Sequence, residues 1–315
     1  MKRLNGMDAL LLYSETPNVH THTLKVAIVD DAEFGFDRFR RTFERRLPLL
    51  EPLRYELVDI PWRIHHPMWL EHCEVDLDYH LRRVRVPEPG GRRALDHVIG
   101  EVASVPLDRS RPLWEFHFAE GLADGRVALI GKIHHALADG VASANLLALA
   151  MDLIPAAGDT VTDDVEVCAR PTSPQLMLAA TRDHVQQLVE LPGVVRDAIA
   201  GVRRLRRRPR DRHEPDDFAR PLHAPETFLN HVLSPVRTFA SATMPLREVK
   251  RVAKHFGVTI NDLVLAISAG ALRELSLRYD GEANRPIVAS VPMSTDRSDH
   301  RITGNEIGGF SASLP

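Results

Sequence analysis

The chain has 315 residues, more than one ordinary small domain needs, and this length favours two domains. Its residues are 44% hydrophobic and 26% charged, as is usual for a globular protein, and the net charge of −3 excludes a global positive field that would attract nucleic acid. The two cysteines, Cys73 and Cys168, fit no metal or redox spacing, so we expect two free thiols in a reducing compartment.

No part of the sequence approaches the roughly 20 consecutive apolar residues of a membrane span. The short apolar run near the N-terminus is interrupted by Asp8, and no small-residue cleavage site follows, so a signal peptide is not expected. We therefore expect a cytoplasmic protein whose membrane contact, if it has any, is peripheral.

Hydrophobic periodicity predicts a compact N-terminal α/β domain over residues 1–155. The predicted strands cover residues 24–29, 53–58, 114–120 and 127–133. The predicted helices cover residues 36–47, 94–104 and 140–154. The turn Ala123-Asp124-Gly125 joins the last two strands, and this arrangement predicts a β-hairpin.

Residues 156–237 are interpreted as a linker followed by connecting helices. Residues 156–174 are rich in Pro, Gly, Thr and Asp without periodicity, and a helical segment at 175–207 is expected to be interrupted at Pro192. The basic cluster at 203–210 is typical of either a solvated helix end or a contact with anionic lipid headgroups. Nucleic acid is not an expected partner, because no aromatic platform accompanies the cluster.

A second α/β domain is predicted over residues 238–315. Its predicted elements are a strand at 241–244, a helix at 246–256 ended by Gly257, a helix from Thr259 to about residue 279, a strand at 285–291 broken by Pro292, and a strand at 310–314. Because such a domain needs further strands and helices, we expect the second domain to be incomplete at its C-terminus.

Residues 133–140, Ile-His-His-Ala-Leu-Ala-Asp-Gly, combine residue types suited to acid–base chemistry. An apolar strand delivers His134 and His135 to its end, where alternation should turn the two side chains in opposite directions. A histidine can accept a proton from an alcohol near neutral pH. The residues alone leave open a polar core histidine, a partial metal site, or Asp139 as a simple helix N-cap. Another doublet, His65-His66, is interpreted as a surface loop.

The pattern His-His-x-x-x-Asp-Gly resembles the signature of the CoA-dependent acyltransferase superfamily. Residues 107–115 resemble the Pro-Leu-Trp block of bacterial wax ester synthase/diacylglycerol acyltransferases, and residues 261–266 resemble that family's Asn-Asp block. Further similar blocks lie at residues 4–9, 15–17, 120–122, 291–294 and 304–305. The resemblance therefore runs through nearly the whole chain in the family's order.

The resemblance implies two chloramphenicol-acetyltransferase-like α/β sandwich domains with mixed sheets and a tunnel between them. It implies that His135 is the general base and that His134 orients rather than reacts. Asp139 would be structural, held by an ionic contact that shapes the loop, and Gly140 would let substrate and helix approach closely. Asn261 is the candidate for a further polar group that reaches the active site.

The resemblance also implies the reaction. It is the transfer of a fatty-acyl group from acyl-CoA to diacylglycerol or a long-chain alcohol, with acyl-CoA as co-substrate and no resident cofactor or metal. The expected partners are these substrates and, peripherally, the inner membrane face or lipid droplets. Members of the family are usually about half as long again, which leaves open a truncated, non-catalytic acyl-CoA- or lipid-binding member. An acyltransferase for a different hydroxyl acceptor and a condensation-type domain also stay open as hypotheses.

Overall fold

A computed structural model describes residues 1–31, 33–150, 169–207, 226–284, 286–296, 298 and 300–314. The strands are β1 Lys2–Arg3, β2 His22–Val29, β3 Glu56–Val58, β4 Met68–Leu70, β5 Leu81–Arg85, β6 Trp114–Glu120, β7 Val127–His134, β8 Ile287–Ser294 and β9 Ile307–Leu314. The helices are α1 Gly6–Ser14, α2 Phe36–Arg46, α3 Leu77–His80, α4 Arg92–Ser104, α5 Gly140–Ala150, α6 Ser173–Arg207, α7 Leu246–Phe256 and α8 Ile260–Tyr279.

The chain divides into two compact units. The first unit contains Met1–Arg206, Ser234–Ala240 and Asp296–Glu306. The second unit contains Arg207–Leu233, Ser241–Thr295 and Ile307–Pro315. The predicted domain limits at 155 and 237 stay a prediction, as does the incompleteness of the second domain.

The main sheet of the first unit has the strand order β2-β7-β6-β5. The β2–β7 and β6–β7 pairs are antiparallel, and the β5–β6 pair is parallel, so the predicted mixed sheet and the predicted β6–β7 hairpin are both confirmed. Both central strands are almost wholly buried, although β6 carries Glu115 and His117 and β7 carries Lys132 among their apolar residues. The histidine doublet therefore lies at the end of a rigid, central strand.

Helix α2 covers one face of this sheet through an aromatic cluster. Phe39 and Phe43 lie one turn apart on the helix and pack against alternate residues of β6, which are Trp114, Phe116 and Phe118. Gly131 on β7 makes room for the Phe116 ring, because a Cβ there would lie 2.7 Å from a ring carbon. Helix α4 covers the other face with Val98 and Ile99.

The second unit is built on an antiparallel ribbon of β8 and β9, paired from Ile287 with Leu314 to Ser294 with Ile307. Gly257 ends α7 with a left-handed φ of 66°, as predicted. Thr259 caps α8, and its reciprocal hydrogen bonds with Asp262 complete a capping box.

Several predicted elements differ from the structure. The strand expected at 53–58 is shorter, because Glu51–Arg54 forms a 3₁₀ turn that Pro52 favours. Residues 241–244 form no strand. Helix α6 continues through Pro192 and β8 through Pro292, because the loss of one N–H donor does not end an element whose neighbouring residues stay paired. Cys168 and residues 156–168 of the predicted linker lie outside the described residues.

His65 corrects the surface-loop interpretation of the second histidine doublet. Its side chain is only 1% exposed, and its Nε2 lies 2.6 Å from Asp183 Oδ2 on α6. No local pattern indicates this contact, because the partner is 118 residues away.

Among the described residues, no single helix is both long and apolar enough to cross a membrane. Helices α7 and α8 reach that length and composition only as a pair bent by 96°.

Candidate active site

The histidine doublet lies where β7 ends and the turn toward α5 begins. The backbone N–H of His134 donates to the Leu113 carbonyl at 3.0 Å, and that of His135 donates to the Thr21 carbonyl at 2.8 Å. His134 is fully buried, whereas His135 is half-buried. The two side chains have separate sets of partners, in keeping with their expected divergence.

Both ring nitrogens of His134 are engaged in structural hydrogen bonds. The Thr21 hydroxyl donates to the Leu11 carbonyl at 3.0 Å, so it accepts from His134 Nε2 at 2.9 Å. His134 Nδ1 accepts from the backbone N–H of Ala136 at 3.0 Å. His134 therefore has no free lone pair with which to take a proton from a substrate.

The carboxylate of Glu15, just after α1, lies close to the His134 ring and to Arg109. Its Oε2 lies 3.6 Å from His134 Nε2 and 2.8 Å from Arg109 Nη2. Burial opposes ionisation of this carboxyl, but the contacts with His134 and Arg109 outweigh burial and lower its pKa to about 2. Glu15 is therefore a carboxylate throughout the physiological range.

The amide of Asn305 holds His135 on the other side of the doublet. Asn305 Nδ2 donates to Asp8 Oδ1 at 2.6 Å and to the His135 carbonyl at 2.8 Å, and Asn305 Oδ1 lies 2.9 Å from His135 Nδ1. Because the amide nitrogen faces two acceptors, the amide oxygen is the group that faces the ring. His135 Nδ1 must therefore carry the proton and donate it to Asn305.

The consequence is that His135 Nε2 holds the unprotonated lone pair. Among the residues that the structure describes, this atom has no hydrogen-bond partner. A half-buried imidazole with a fixed Nδ1–H tautomer and an open Nε2 has the arrangement that a general base requires.

Asp8 completes this chain of contacts from the first turn of α1. Its side chain is 4% exposed, and burial raises its pKa to about 6, although the hydrogen bond from Asn305 works in the opposite direction. The Asn5 side chain caps α1 by accepting from the backbone N–H of Asp8 at 2.7 Å. At pH 7 Asp8 is mainly a carboxylate that orients the Asn305 amide.

Asp139 holds the loop between β7 and α5. Its Oδ1 accepts from the backbone N–H groups of Val141 and Ala142 at 3.0 and 2.9 Å, which is helix N-capping. Arg301 Nη2 contacts both carboxylate oxygens at 3.0 and 2.8 Å. Burial opposes ionisation of Asp139, but the hydrogen bonds from Ala142 and Arg301 outweigh it and lower the pKa. The N-cap and the ionic contact thus occur together.

Arg301 and Asn305 reach the motif on the segment Asp296–Glu306, which belongs to the first unit. Gly304 donates to the Leu137 carbonyl at 2.9 Å, and Asp139 N–H donates to the Gly304 carbonyl at 3.2 Å. The sequence pattern identified Gly304-Asn305 as a block that resembles the family, but it assigned no role to Asn305, Asp8 or Arg301.

For two predicted site residues, Gly140 and Asn261, the described structure shows no contact that accounts for the predicted role. Gly140 begins α5, its φ is not left-handed, and a Cβ there would meet nothing within 4 Å, so the local structure does not require glycine. Asn261 is exposed on the first turn of α8 in the second unit. Both roles stay predictions. Within the described ranges, no group of three or more His, Cys, Asp or Glu side chains could hold a metal ion.

Comparison with known proteins identifies the family. A family model described as the wax ester synthase/diacylglycerol acyltransferase catalytic domain matches residues 4–264. Two Mycobacterium tuberculosis proteins, from strains H37Rv and CDC 1551, are each 54% identical to this chain, and both carry a provisional diacylglycerol O-acyltransferase name. This chain belongs to the wax ester synthase/diacylglycerol acyltransferase family.

Solved structures in and beyond this family share the fold. The wax ester synthase/diacylglycerol acyltransferase from Marinobacter aquaeolei VT8 superimposes with a TM-score of 0.62 at 26% identity, over 92% of this chain and 64% of that one. The first condensation domain of the calcium-dependent antibiotic synthetase matches with a TM-score of 0.55 at 15% identity, over 98% of this chain and 68% of that one. These neighbours confirm the predicted chloramphenicol-acetyltransferase-like α/β class.

The M. tuberculosis alignments cover 100% of this chain and 67% of the relatives. The chain therefore spans about two thirds of the length of these wax ester synthase/diacylglycerol acyltransferase relatives.

Proposed function

We propose that this protein is an acyl-CoA-dependent O-acyltransferase that uses His135 as its general base. It transfers a fatty-acyl group to diacylglycerol or a long-chain alcohol and forms triacylglycerol or a wax ester. Membership of the wax ester synthase/diacylglycerol acyltransferase family and the names of its relatives support this reaction. The observation that carries it is the Asn305 contact, which leaves the Nε2 lone pair of His135 free.

The proposed reaction has two steps, an addition that forms the carbon–oxygen bond and an elimination that breaks the carbon–sulfur bond. His135 Nε2 takes the proton of the acceptor hydroxyl as its oxygen attacks the thioester carbonyl carbon. The tetrahedral intermediate then collapses, the carbon–sulfur bond breaks, and the CoA thiolate receives the proton from His135. The products are an ester and free CoA, and the histidine returns to its starting state. The reaction uses acyl-CoA as a co-substrate and needs no resident cofactor or metal.

The other residues of the site act on His135 rather than on the substrates. Asn305 fixes the tautomer of the ring, and Asp8 fixes the amide of Asn305. The Asp139–Arg301 ion pair holds the loop that carries His135. His134 packs inward and stabilises the end of β7 through Thr21.

The proposed acceptors are lipids, so we further propose that the protein works in the cytoplasm and meets them at the inner membrane face or at lipid droplets. The middle of α6 supports a peripheral contact, because Leu188, Val189 and Val194 are 68%, 75% and 62% exposed. Flotation of the purified protein with acceptor-containing vesicles tests this location, and protein that stays in the aqueous fraction contradicts it.

The central test measures acyl transfer by the purified full chain. Free thiol release from palmitoyl-CoA is followed with and without hexadecanol or dioleoylglycerol, and the ester product is identified by mass spectrometry. We expect acceptor-dependent release that falls by about 10²–10⁴-fold in His135→Ala, because that range is typical for loss of a general base.

His97→Ala is the matched control, because His97 is a 68% exposed histidine of the same unit, paired with Glu101 on α4. It should keep wild-type activity. Equal ester formation by wild type and His135→Ala would exclude His135 as the base. A folded wild type that forms neither ester would exclude these acceptors and favour a binding role.

A further inference from the structure

The first unit contains a large cavity that no step of the proposed reaction uses. It lies between α2 and the chain leading into α3, and its volume is about 830 Å³. Its lining includes four arginines, two glutamates, one threonine and the apolar side chains of Leu47, Pro48, Val75 and Leu77. None of His135, Asn305, Asp8 or Asp139 lines it.

The arginines come from one face of α2. Phe39 and Phe43 point toward the sheet, so the helical period turns Arg38, Arg41 and Arg45 toward the cavity. Arg38 is paired with Asp31 at 2.9 Å. In the part of the chain that the structure describes, Arg41 and Arg45 form neither an ion pair nor a side-chain hydrogen bond.

A buried guanidinium adds to this charge. Arg54 lines the same cavity but is only 5% exposed, and its Nε donates to the Cys73 carbonyl at 3.5 Å. The backbone N–H of Cys73 donates in turn to the Arg54 carbonyl at 2.9 Å, so this part of the wall is held rigidly. With Arg38 paired to Asp31, the three other guanidinium groups of the lining still exceed the two carboxylates, those of Glu44 and Glu74, so the cavity keeps a net positive charge.

We propose that this cavity binds a phosphate-bearing ligand, whose phosphate groups are held by Arg41 and Arg45 beside the buried Arg54. The planar fork of an arginine donates two parallel hydrogen bonds to a phosphate, and a group of forks on one wall suits two adjacent phosphates. The apolar side chains that also line the cavity suit the organic part of the ligand. The volume lies within the range of small-molecule sites and is far larger than one phosphate requires.

The shared chemistry of the ligand is a phosphate ester or anhydride, which can come from a free organic phosphate or from a phospholipid headgroup. Two probes distinguish these sources. Isothermal titration with inorganic pyrophosphate measures the free anion, and co-sedimentation with vesicles of phosphatidylglycerol, compared with phosphatidylcholine, measures the anionic headgroup. Both are performed on the full chain at low salt, because exposed ion contacts weaken as salt rises.

The test variant is Arg41→Gln with Arg45→Gln. Both side chains are exposed on a helix, and glutamine is a good helix former, so the fold should be retained. The matched control is Arg92→Gln with Arg93→Gln, which makes the same change in charge on exposed arginines of α4 outside the cavity. We expect at least about tenfold weaker binding of the probe in the test variant and unchanged binding in the control.

Binding of pyrophosphate that depends on Arg41 and Arg45 supports a free phosphate ligand. Binding only to phosphatidylglycerol vesicles, with the same dependence, supports a headgroup. The proposal is overturned if neither probe binds the wild type, or if the test variant and the control weaken binding equally. Circular dichroism verifies that the variants fold, and Arg41→Lys with Arg45→Lys, which keeps the charge but not the fork, should still weaken pyrophosphate binding.

Discussion

At the scale of single residues, the proposed chemistry depends on which nitrogen of His135 carries the proton. Asn305 decides this by accepting from Nδ1, and replacing it with leucine removes that acceptor while keeping the same branched arrangement of heavy atoms. We expect Asn305→Leu to lower kcat by about 10- to 100-fold with little change in KM, as for other partners that fix a histidine tautomer. Steady-state kinetics over pH 5–9 measure this. An unchanged kcat and pH profile would show that Asn305 does not position the base.

Asp8 should make stability depend on pH in an unusual direction. Burial raises its pKa from 3.8 to about 6, so the folded protein binds this proton more tightly than the unfolded chain. The stability that protonated Asp8 contributes is therefore complete below about pH 4 and lost as pH rises to about 6.

We expect Asp8→Asn to remove this dependence, because asparagine is neutral and its oxygen can still accept from Asn305. Relative to wild type, the variant should gain roughly 2–2.5 kcal/mol between pH 4 and pH 7, because one pKa unit corresponds to about 1.4 kcal/mol and the unfolded carboxyl is already partly ionised at pH 4. Urea unfolding at both pH values measures the gain. A difference that stays constant with pH would mean that Asp8 does not titrate in this window.

A substitution at Gly140 tests its effect on folding and its effect on substrate contact separately. A Cβ at this position meets nothing, and alanine is the better helix former, so Gly140→Ala should leave the melting temperature unchanged or slightly higher. If the glycine makes room for substrate, as the family resemblance implies, the same variant should raise KM. Thermal melts and kinetics on one preparation test both parts. A lower melting temperature would show that the glycine has a structural role.

At the scale of elements, the Asp139 carboxylate holds the loop from β7 to α5 in two ways, because it caps α5 and pairs with Arg301. Asp139→Asn keeps the oxygen that caps α5 but removes the charge opposite Arg301, whereas Asp139→Ala removes both. We expect the asparagine variant to lose about 3–5 kcal/mol, because it leaves a nearly buried Arg301 without its closest anion. The alanine variant should lose about 1 kcal/mol more, the usual contribution of an N-cap.

Urea unfolding of the two variants measures these losses, and the double variant with Arg301→Met provides the control. Removing both charges should destabilise the protein less than Asp139→Asn alone, because no unpaired charge then remains. Strictly additive losses would contradict a direct interaction between the two side chains.

Local patterns predicted the elements that local forces determine. Alternation and turn residues predicted β6 and the hairpin, and helix capping residues predicted the break between α7 and α8. A strand was also predicted at residues 241–244, but a strand requires a pairing partner, which the local sequence does not reveal. The same limit explains His65, whose burial depends on a distant carboxylate.

The candidate site likewise contains some residues that a local sequence pattern indicates and others that depend on distant partners. The histidine motif carries its own signal in eight consecutive residues, so the sequence alone could single out His135 and Asp139 as candidates, and their roles stay predictions. Asn305 lies 170 residues from His135 and 297 from Asp8, and Arg301 lies 162 from Asp139. One sequence contains no periodicity that reports such separations, and only the folded chain reveals these partners.

At the scale of the whole molecule, substrate binding and proton transfer should be separable. Binding of a ligand to the folded state stabilises it by an amount that depends only on ligand concentration and affinity, about 2.7 kcal/mol at 100 times Kd. His135 is assigned to proton removal from the acceptor, so His135→Ala should bind acyl-CoA as well as wild type does.

We therefore expect hexanoyl-CoA to raise the melting temperature of wild type and His135→Ala equally, although only wild type forms ester. Differential scanning calorimetry over a concentration series measures both shifts. A shift in wild type alone would assign His135 to holding the thioester. If neither protein shifts, acyl-CoA binding itself is excluded at these concentrations, and the proposed acyl donor must be replaced. Equal shifts with unequal turnover are the one outcome that a catalytic base predicts and a binding role does not.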